Sequence, residues 1–189
     1  MSRVNAGRFW HLKSGFVILM IPKCGSATIF RSLIEANRLN YNRHKLMKIC
    51  IPQRQHENKP ALVAIRDPVE RFKSAVSHVN RNSTHISVDG ILDGLESGSY
   101  KDQHFMSQSA ELSACDGCES VKLYRFPFDF EQMLFDGGLN AKIPHKNQSI
   151  SKPILTDDQE RRVVEYYKDD IKLFNSIQKA GQEFLLEST

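Results

Sequence analysis

The sequence predicts a single α/β domain in which helices flank a central parallel sheet. Two segments carry this prediction, because each places a short apolar run before a turn and a helical pattern. The runs cover residues 16–21 (FVILMI) and 61–65 (ALVAI), and neither holds a charge, as is typical of parallel strands buried on both faces. The chain has 189 residues, of which 40% are hydrophobic and 25% charged, so we expect one domain with one core over residues 1–189.

The turn after the first run has the composition of a phosphate-binding loop. It reads PKCGSAT over residues 22–28, and a helical pattern follows over residues 27–37. The start of a helix leaves backbone N–H groups unpaired and adds partial positive charge, which favours an anion. Lys23 adds a full charge, and Ser26 and Thr28 add hydroxyl donors. An ordinary strand-to-helix connection is the alternative, since short Gly/Ser turns open many helices.

The second run is followed by a well-marked helix start. Asp67 is expected to cap the helix and Pro68 to occupy its first position, and the helix extends to about residue 80. Its core-facing residues recur at three- and four-residue spacing: Val69, Phe72, Val76 and Val79. Arg66 and Ser74 can both reach an anion at the sheet edge where ligands of open α/β sheets bind. The alternative for Arg66 is an ion pair with a neighbouring carboxylate.

The remaining elements flank these two units and follow from the same patterns. They are a hairpin strand over 8–12, an ambiguous strand or helix over 40–51, a loop with one short helix over 81–98, a strand over 121–125, irregular connections over 127–140 and 141–153, and closing helices over 157–167 and 169–184. Thr156 and Gln159 form a capping box for the first closing helix.

Two motifs resemble those of a known enzyme family. PKCGS at residues 22–26 resembles the 5′-phosphosulfate-binding loop of sulfotransferases that use 3′-phosphoadenosine 5′-phosphosulfate (PAPS), and it differs from the GxxxxGK[ST] order of common nucleotide hydrolases. RDPVERFKSA at residues 66–75 resembles their 3′-phosphate-binding motif. Further segments within residues 16–177 resemble the carbohydrate (Golgi-type) and bacterial branch: DQHFMSQ at 102–108, with Ser107 where proline is usual, a helix start at Asp129 and Glu131, PHKNQS at 144–149, and the closing helices at 155–174.

This resemblance implies a P-loop-like three-layer fold and a sulfuryl transfer from PAPS to an acceptor hydroxyl. A carbohydrate is the first expectation for the acceptor, a small-molecule alcohol the second, and 3′-phosphoadenosine 5′-phosphate (PAP) is the product. The resemblance also implies that Lys23 contacts the oxygen between sulfate and 5′-phosphate, and that Arg66 and Ser74 hold the 3′-phosphate. The loop residues implied around the 5′-phosphate are Lys23, Cys24, Gly25, Ser26, Ala27 and Thr28. The scheme needs no metal, and the sequence offers no convincing metal site.

The general base for the acceptor proton is less well defined. Three histidines are candidates, His44, His56 and His104, and Glu57 lies beside the second. His44 is preferred, because its spacing before Arg66 resembles that of the histidine in family members. Each histidine has the alternative of a structural or solvated side chain.

Two other functions remain open: a kinase-like phosphotransferase, since strand–loop–helix phosphate sites serve both chemistries, and a non-catalytic nucleotide-binding module. The net charge of +4 is modest and the basic residues are dispersed, so no nucleic-acid partner is expected. No apolar run approaches the roughly 20 residues of a membrane span. The first residues also lack an apolar signal segment, so we expect a cytoplasmic protein without a membrane span.

The four cysteines are too few and too scattered for a disulfide framework. Cys24 is expected to fill space in its turn, although a helix N-terminus and a nearby lysine also favour a reactive thiolate. Cys115 and Cys118 form a CDGC sequence that fits a local disulfide or two free thiols better than zinc, because no second pair of ligands is evident.

Overall fold

Short apolar runs pair into a mixed five-stranded sheet. The computed structural model describes residues 9–12, 14–29, 57–82, 86–139 and 152–184. The strands, in sheet order, are β1 (Phe9–His11), β2 (Val17–Leu19), β3 (Pro60–Arg66), β4 (Ser120–Phe126) and β5 (Gln182–Phe184). β3 is parallel to both β2 and β4, which confirms the predicted parallel centre. Both edge strands are antiparallel; β1 completes the predicted hairpin, whereas β5 is not predicted.

Helices connect and follow these strands. They are α1 (Pro68–Asn82), α2 (Val88–Glu96), α3 (Gln108–Glu111), α4 (Phe130–Asp136), α5 (Asp157–Tyr166) and α6 (Lys168–Ser176), with 3₁₀ turns at Gln103–Phe105 and Leu112–Cys115. A helix also begins at residue 26 and is described through residue 29. The rest of the helix predicted over 27–37, and the ambiguous segment over 40–51, lie outside the described residues. None of the described helices is long and apolar enough to cross a membrane.

Two apolar clusters hold these elements together. The residues 61–65 of β3 are each at most 2% exposed, so both faces of this strand are covered. A second cluster joins α1, α2 and α5. Within it Phe72, Val76 and Val79 are buried and Val69 is partly buried, which confirms the predicted core face of α1. Burial of one such large side chain stabilises the fold by about 1.5–3 kcal/mol.

Local capping sets where two of the helices begin. Asp67 Oδ1 accepts a hydrogen bond from Glu70 N at 2.9 Å, and Pro68 is the first residue of α1, as predicted. Thr156 and Gln159 form the predicted capping box at the start of α5. These starts are confirmed because the groups that determine them are neighbours in the sequence.

The prediction of an irregular connection over 127–140 is wrong. Residues Phe130–Asp136 form α4, in agreement with the helix start that the resemblance places at Asp129. Phe130, Met133 and Leu134 recur at helical spacing and are each at most 1% exposed, so burial against the sheet stabilises this short helix.

The prediction that the last helix continues to residue 184 is also wrong. α6 ends at Ser176, and the chain turns back to add β5 to the sheet. Gly181, with a φ of +69°, donates its N–H to Leu123 O at 3.0 Å. The open edge of β4 thereby gains backbone partners that a continued helix would leave unpaired.

Candidate anion-binding site

The two predicted phosphate-binding segments meet at one edge of the sheet. β2 and β3 are parallel neighbours, with Leu19 paired to Val63, so the turn after β2 and the start of α1 leave the sheet on the same side. The guanidinium of Arg66 donates from Nη1 to the Lys23 carbonyl oxygen at 3.0 Å. A direct hydrogen bond therefore joins the two motifs.

Two residues of the loop after β2 have a positive φ, and at one of them, Gly25, a side chain would also clash with a neighbouring ring. Lys23 has a φ of +67° and Gly25 a φ of +83°, both in the left-handed region. A Cβ on Gly25 would lie 2.5 and 2.7 Å from two carbons of the Phe126 ring. A non-glycine residue such as Lys23 in this region stores about 1–2 kcal/mol of strain, so contacts elsewhere, including the Arg66 bond, must hold it there.

The helix that starts at Ser26 leaves hydrogen-bond donors at this loop. Thr28 N and Ile29 N both donate to Gly25 O, at 2.8 and 2.9 Å. Within the described part of the chain, the N–H groups of Gly25, Ser26 and Ala27 donate to no backbone carbonyl. Among the described residues, three N–H groups without a backbone acceptor and a lysine in the same loop form an arrangement that can hold a phosphate.

Arg66 is largely withdrawn from solvent, with 14% of its side chain exposed, and burial lowers its pKa below the ordinary value. Its guanidinium carbon lies 5.6 Å from the centroid of the Phe126 ring. Arg66 Nη2 is 4.0 Å from Glu70 Oε2, but that carboxylate group is also paired with Lys152 at 2.5 Å and Lys73 at 3.5 Å. One carboxylate shared among three cations leaves a net positive charge at this edge.

Lys23 lies in a partly buried, cationic environment. Burial, followed by the charges of Arg81 and Arg66, lowers the pKa of Lys23 to about 8, although Asp102 acts in the opposite direction. An anion beside the ammonium would raise this pKa again, so binding of an anion and protonation of Lys23 favour each other.

His78, one of two histidines in ring contact, lies within electrostatic reach of Lys23. His104 is anchored by Asp102, whose Oδ1 is 2.7 Å from the ring Nδ1 and accepts from the His104 backbone N–H at 2.8 Å. The centroid of the His104 ring is 4.3 Å from that of His78 on α1. Burial, then the charges of Lys23, His104 and Arg81, lower the pKa of His78 to about 4, so His78 is neutral at pH 7.

The Asp102–His104 pair has the arrangement of a general base. An ionised Asp102 can only accept hydrogen bonds, so Nδ1 of His104 carries the proton and Nε2 is the basic nitrogen. Burial opposes ionisation of Asp102, but the hydrogen bonds from His104 outweigh it and hold the pKa of this carboxyl below its usual value. A carboxylate that fixes the ring and supports its positive charge is what a proton-abstracting histidine requires.

The other predicted residues are not joined to this cluster. Ser74 is buried on α1. His44 and His56 lie outside the described residues. Glu57 is exposed and lies before the opposite end of β3.

Three charged or polar residues of the cluster are not among the site residues predicted from the sequence. His78 and Arg81 follow Ser74 at i+4 and i+7, so the three share one face of α1, and this spacing is a signal that could have found them. Asp102 lies in the DQHF segment, where its role depends on the ring of His104 two residues later.

The side chain of Gln108 is hydrogen bonded to both motifs. Its Oε1 accepts from Cys24 Sγ at 2.8 Å and from Arg66 N at 2.9 Å, and its Nε2 donates to Arg66 O at 2.8 Å. Burial raises the pKa of the Cys24 thiol to about 11, so Cys24 stays protonated and donates this bond. This geometry favours the prediction that Cys24 fills space over the prediction that it is a reactive thiolate.

Asp170 on α6 holds Gln108 in place. This fully buried carboxylate accepts from Gln108 N at 2.7 Å, from Ser109 N and Oγ at 2.8 Å, and from Ser107 Oγ at 2.7 Å. Ser107 stands where the resembling motif usually has proline, and here its hydroxyl supports the carboxylate. The chain thus connects its last helix to the loop after β2 through a continuous set of hydrogen bonds.

Comparisons of this chain with family models, curated proteins and solved structures found no match.

Proposed function

We propose that this protein is a PAPS-dependent sulfotransferase that transfers a sulfuryl group to an acceptor hydroxyl on a carbohydrate. The hydrogen bond from Arg66 to the Lys23 carbonyl carries the proposal, because it joins the two motifs that resemble phosphosulfate- and 3′-phosphate-binding segments. An adenosine with anionic groups at both its 5′ and 3′ positions matches a site with a cation in each segment. A P-loop-like three-layer fold and a cytoplasmic location belong to the same proposal.

The loop after β2 takes the 5′ side of the donor in this proposal. The N–H groups of residues 25–27 and the Thr28 hydroxyl bind the 5′-phosphate, and the Lys23 ammonium approaches the oxygen that bridges phosphate and sulfate. Cys24 contributes packing only, since its N–H donates to Ile21 O at 3.3 Å and its thiol to Gln108.

The start of α1 takes the 3′-phosphate. Arg66 supplies the charge, and a charge-assisted hydrogen bond of this kind contributes about 1.5–3 kcal/mol. Ser74 on α1 supplies a hydroxyl. A nucleotide without a 3′-phosphate would make neither contact, so the site is expected to discriminate against it.

The proposed reaction is an in-line displacement at sulfur. The acceptor oxygen forms a bond to sulfur while the bond from sulfur to the 5′-phosphate oxygen breaks, and PAP leaves. Nε2 of His104 takes the acceptor proton, and Asp102 stabilises the resulting imidazolium. Lys23 stabilises the charge that develops on the leaving phosphate.

Calorimetric titration with PAP tests the donor site. The wild-type chain is expected to bind PAP more tightly than Mg-ATP, and Lys23→Ala to weaken PAP binding at least about tenfold. Lys172→Ala is the matched control, because this exposed lysine on α6 pairs only with Asp169 among the described residues. Preference for Mg-ATP over PAP would contradict the proposal and favour the kinase-like function.

A second experiment tests the proposed base. His104→Asn is expected to lower the turnover number by about 10²–10⁴ with PAPS and an accepted sugar, while PAP affinity changes by less than about twofold. Asp102→Asn is expected to lower turnover as well and to shift the acidic limb of the pH–rate profile. An unchanged turnover in His104→Asn would reject His104 as the base, and the same substitution at His44 and His56 would follow.

A further inference from the structure

A pair of cysteines lies at the end of the sheet opposite to the anion-binding loop. Cys115 ends a 3₁₀ turn, and Cys118 lies just before β4. The turn between them is tied to the segment before β3 by a hydrogen bond from Asn58 N to Gly117 O at 2.8 Å. Arg66 lies at the other end of β3, so the cysteine pair is separate from the anion-binding site.

Residues 115–118 form a type II β-turn. Asp116 has a φ of −56° and a ψ of 127°, and Gly117 has a φ of +86°, which match the two central positions of this turn. Cys118 N donates to Cys115 O at 2.9 Å. In such a turn the first and fourth Cα atoms lie within about 7 Å, which is the separation that a disulfide can bridge.

The two cysteines occupy the first and fourth positions of this turn, and Cys115 is buried whereas Cys118 is half-buried. The interaction between their side chains lowers the pKa of Cys118 and, together with burial, raises that of Cys115. The more accessible sulfur of the pair is therefore also the more readily ionised one.

A metal site does not explain this pair within the described residues. There, no group of three or more His, Cys, Asp and Glu side chains is placed to hold a metal ion. Both cysteines are free thiols in the structure. The pair therefore has the geometry of a dithiol that can close to a disulfide.

We propose that Cys115 and Cys118 form a reversible dithiol–disulfide couple, with a low-molecular-weight disulfide such as oxidised glutathione as the oxidant. The Cys118 thiolate attacks one sulfur of the reagent, a mixed disulfide forms, and one glutathione thiolate leaves. The Cys115 thiol then loses the negative partner that held its proton, ionises, and attacks the Cys118 sulfur. The second glutathione leaves, so two protein thiols and one glutathione disulfide become one protein disulfide and two glutathione molecules.

Peptide mass spectrometry of the full chain tests this couple. The protein is equilibrated in buffers with graded ratios of reduced to oxidised glutathione, quenched with acid, alkylated and digested with trypsin. The tryptic peptide 102–122 contains Cys115 and Cys118 and no other cysteine. This peptide is expected to lose two hydrogen atoms in a single transition, to carry no glutathione at the end point, and to regain both thiols with dithiothreitol.

Single variants separate the attacking thiol from the resolving one. Cys115→Ala is expected to accumulate a glutathione adduct on Cys118, and the pH midpoint of Cys118 alkylation is expected to rise because the interaction with Cys115 is lost. Cys118→Ser is expected to leave the buried Cys115 unmodified. Independent adducts on both cysteines, a peptide that stays a dithiol in every buffer, or a disulfide that dithiothreitol does not open would each overturn the proposal, and the wild-type protein alone reports all three.

Discussion

The two strand–turn–helix units of the anion-binding site are built in different ways. β3 passes into α1 through Asp67 and Pro68, and a cap within the segment satisfies the helix start. β2 passes into a turn with Lys23 and Gly25 at positive φ, and the N–H groups of residues 25–27 donate to no backbone carbonyl among the described residues. The first unit has a local cap at its helix start, whereas the second has N–H groups without a backbone partner among the described residues.

The difference lies in where the stabilising contacts come from. The loop after β2 is held by Arg66 on the next strand, by Gln108 on α3, and by the ring of Phe126 at the end of β4. Asp170 on α6 fixes Gln108 in turn. The loop after β2 thus depends on residues distant in the sequence, and substitutions at those residues should affect it more than changes to local caps do.

The largest expected effect is that of Gly25→Ala. The new Cβ would lie 2.5 Å from the Phe126 ring, in a residue with a φ of +83°. Overpacking and backbone strain together are expected to destabilise the fold by about 3–5 kcal/mol. Urea unfolding measures this change. Gly15→Ala is the matched control, because Gly15 has a φ of +94° with nothing within 4 Å, and about 1–2 kcal/mol is expected there. Equal losses in the two variants would show that Phe126 does not shape the loop.

The second prediction concerns the hydrogen bonds that Gln108 makes to Arg66 and Cys24. Gln108→Ala leaves the backbone N–H and C=O of Arg66 without their side-chain partner and is expected to destabilise the fold by about 3 kcal/mol, with weaker PAP binding. Gln132→Ala is the control, since this exposed side chain bonds only Asp136 among the described residues, and a change below about 0.5 kcal/mol is expected. Unfolding and calorimetry on both variants check the difference. If Gln108→Ala changes stability as little as its control does, the loop does not depend on the hydrogen bonds of Gln108.

The third prediction is a pH dependence with opposite signs for binding and stability. Lys23 has a pKa of about 8 in the folded protein, against 10.5 ordinarily. PAP affinity should therefore fall about tenfold between pH 7 and 9, as the ammonium loses its proton. Between pH 8 and 10.5 the unfolded chain binds more protons, so the contribution of Lys23 to stability without ligand rises with pH. Calorimetry and urea unfolding across this range measure both trends.

Lys23→Met serves as the reference for this pH series. It should remove the Lys23 contribution to both trends, because no titrating group remains at this position. An unchanged pH dependence of PAP affinity in Lys23→Met would assign the titration to another residue.

The smallest expected effect is that of a local cap. Asp67→Ala should reduce stability by about 1 kcal/mol, because Glu70 N loses its acceptor, without weakening PAP binding. Thr156→Ala removes a comparable cap on α5 and should reduce stability by a similar amount. A strong loss of PAP affinity in Asp67→Ala alone would mean that PAP binding depends on the local cap of α1 and not only on the loop after β2.

The sequence predicted the parts of the site that neighbouring residues determine. The cap at Asp67 and Pro68 and the buried strand at 61–65 follow from local pattern, and both are confirmed. β5 was not predicted, because its formation depends on the unpaired edge of β4 rather than on the helix-like composition of residues 169–184.

The polar cluster was predicted only in part, for a similar reason. His104 was a candidate, but its ring contact with His78 arises from the packing of α1 against the 3₁₀ turn at Gln103–Phe105. Gln108 appeared in a family-like motif, yet no local rule assigns a glutamine to the backbone of Arg66, which is distant in the sequence.

The most direct test of the donor site compares PAP with AMP, which lacks the 3′-phosphate, in the wild-type chain and in Arg66→Ala. Calorimetry should show that the wild type binds PAP at least about tenfold more tightly than AMP, since Arg66 contributes a charge-assisted bond to the 3′-phosphate. In Arg66→Ala most of this preference should be lost, because only the Ser74 hydroxyl remains for the 3′-phosphate. Equal binding of PAP and AMP by the wild type, or an undiminished preference in Arg66→Ala, would contradict the assignment of this site to PAPS.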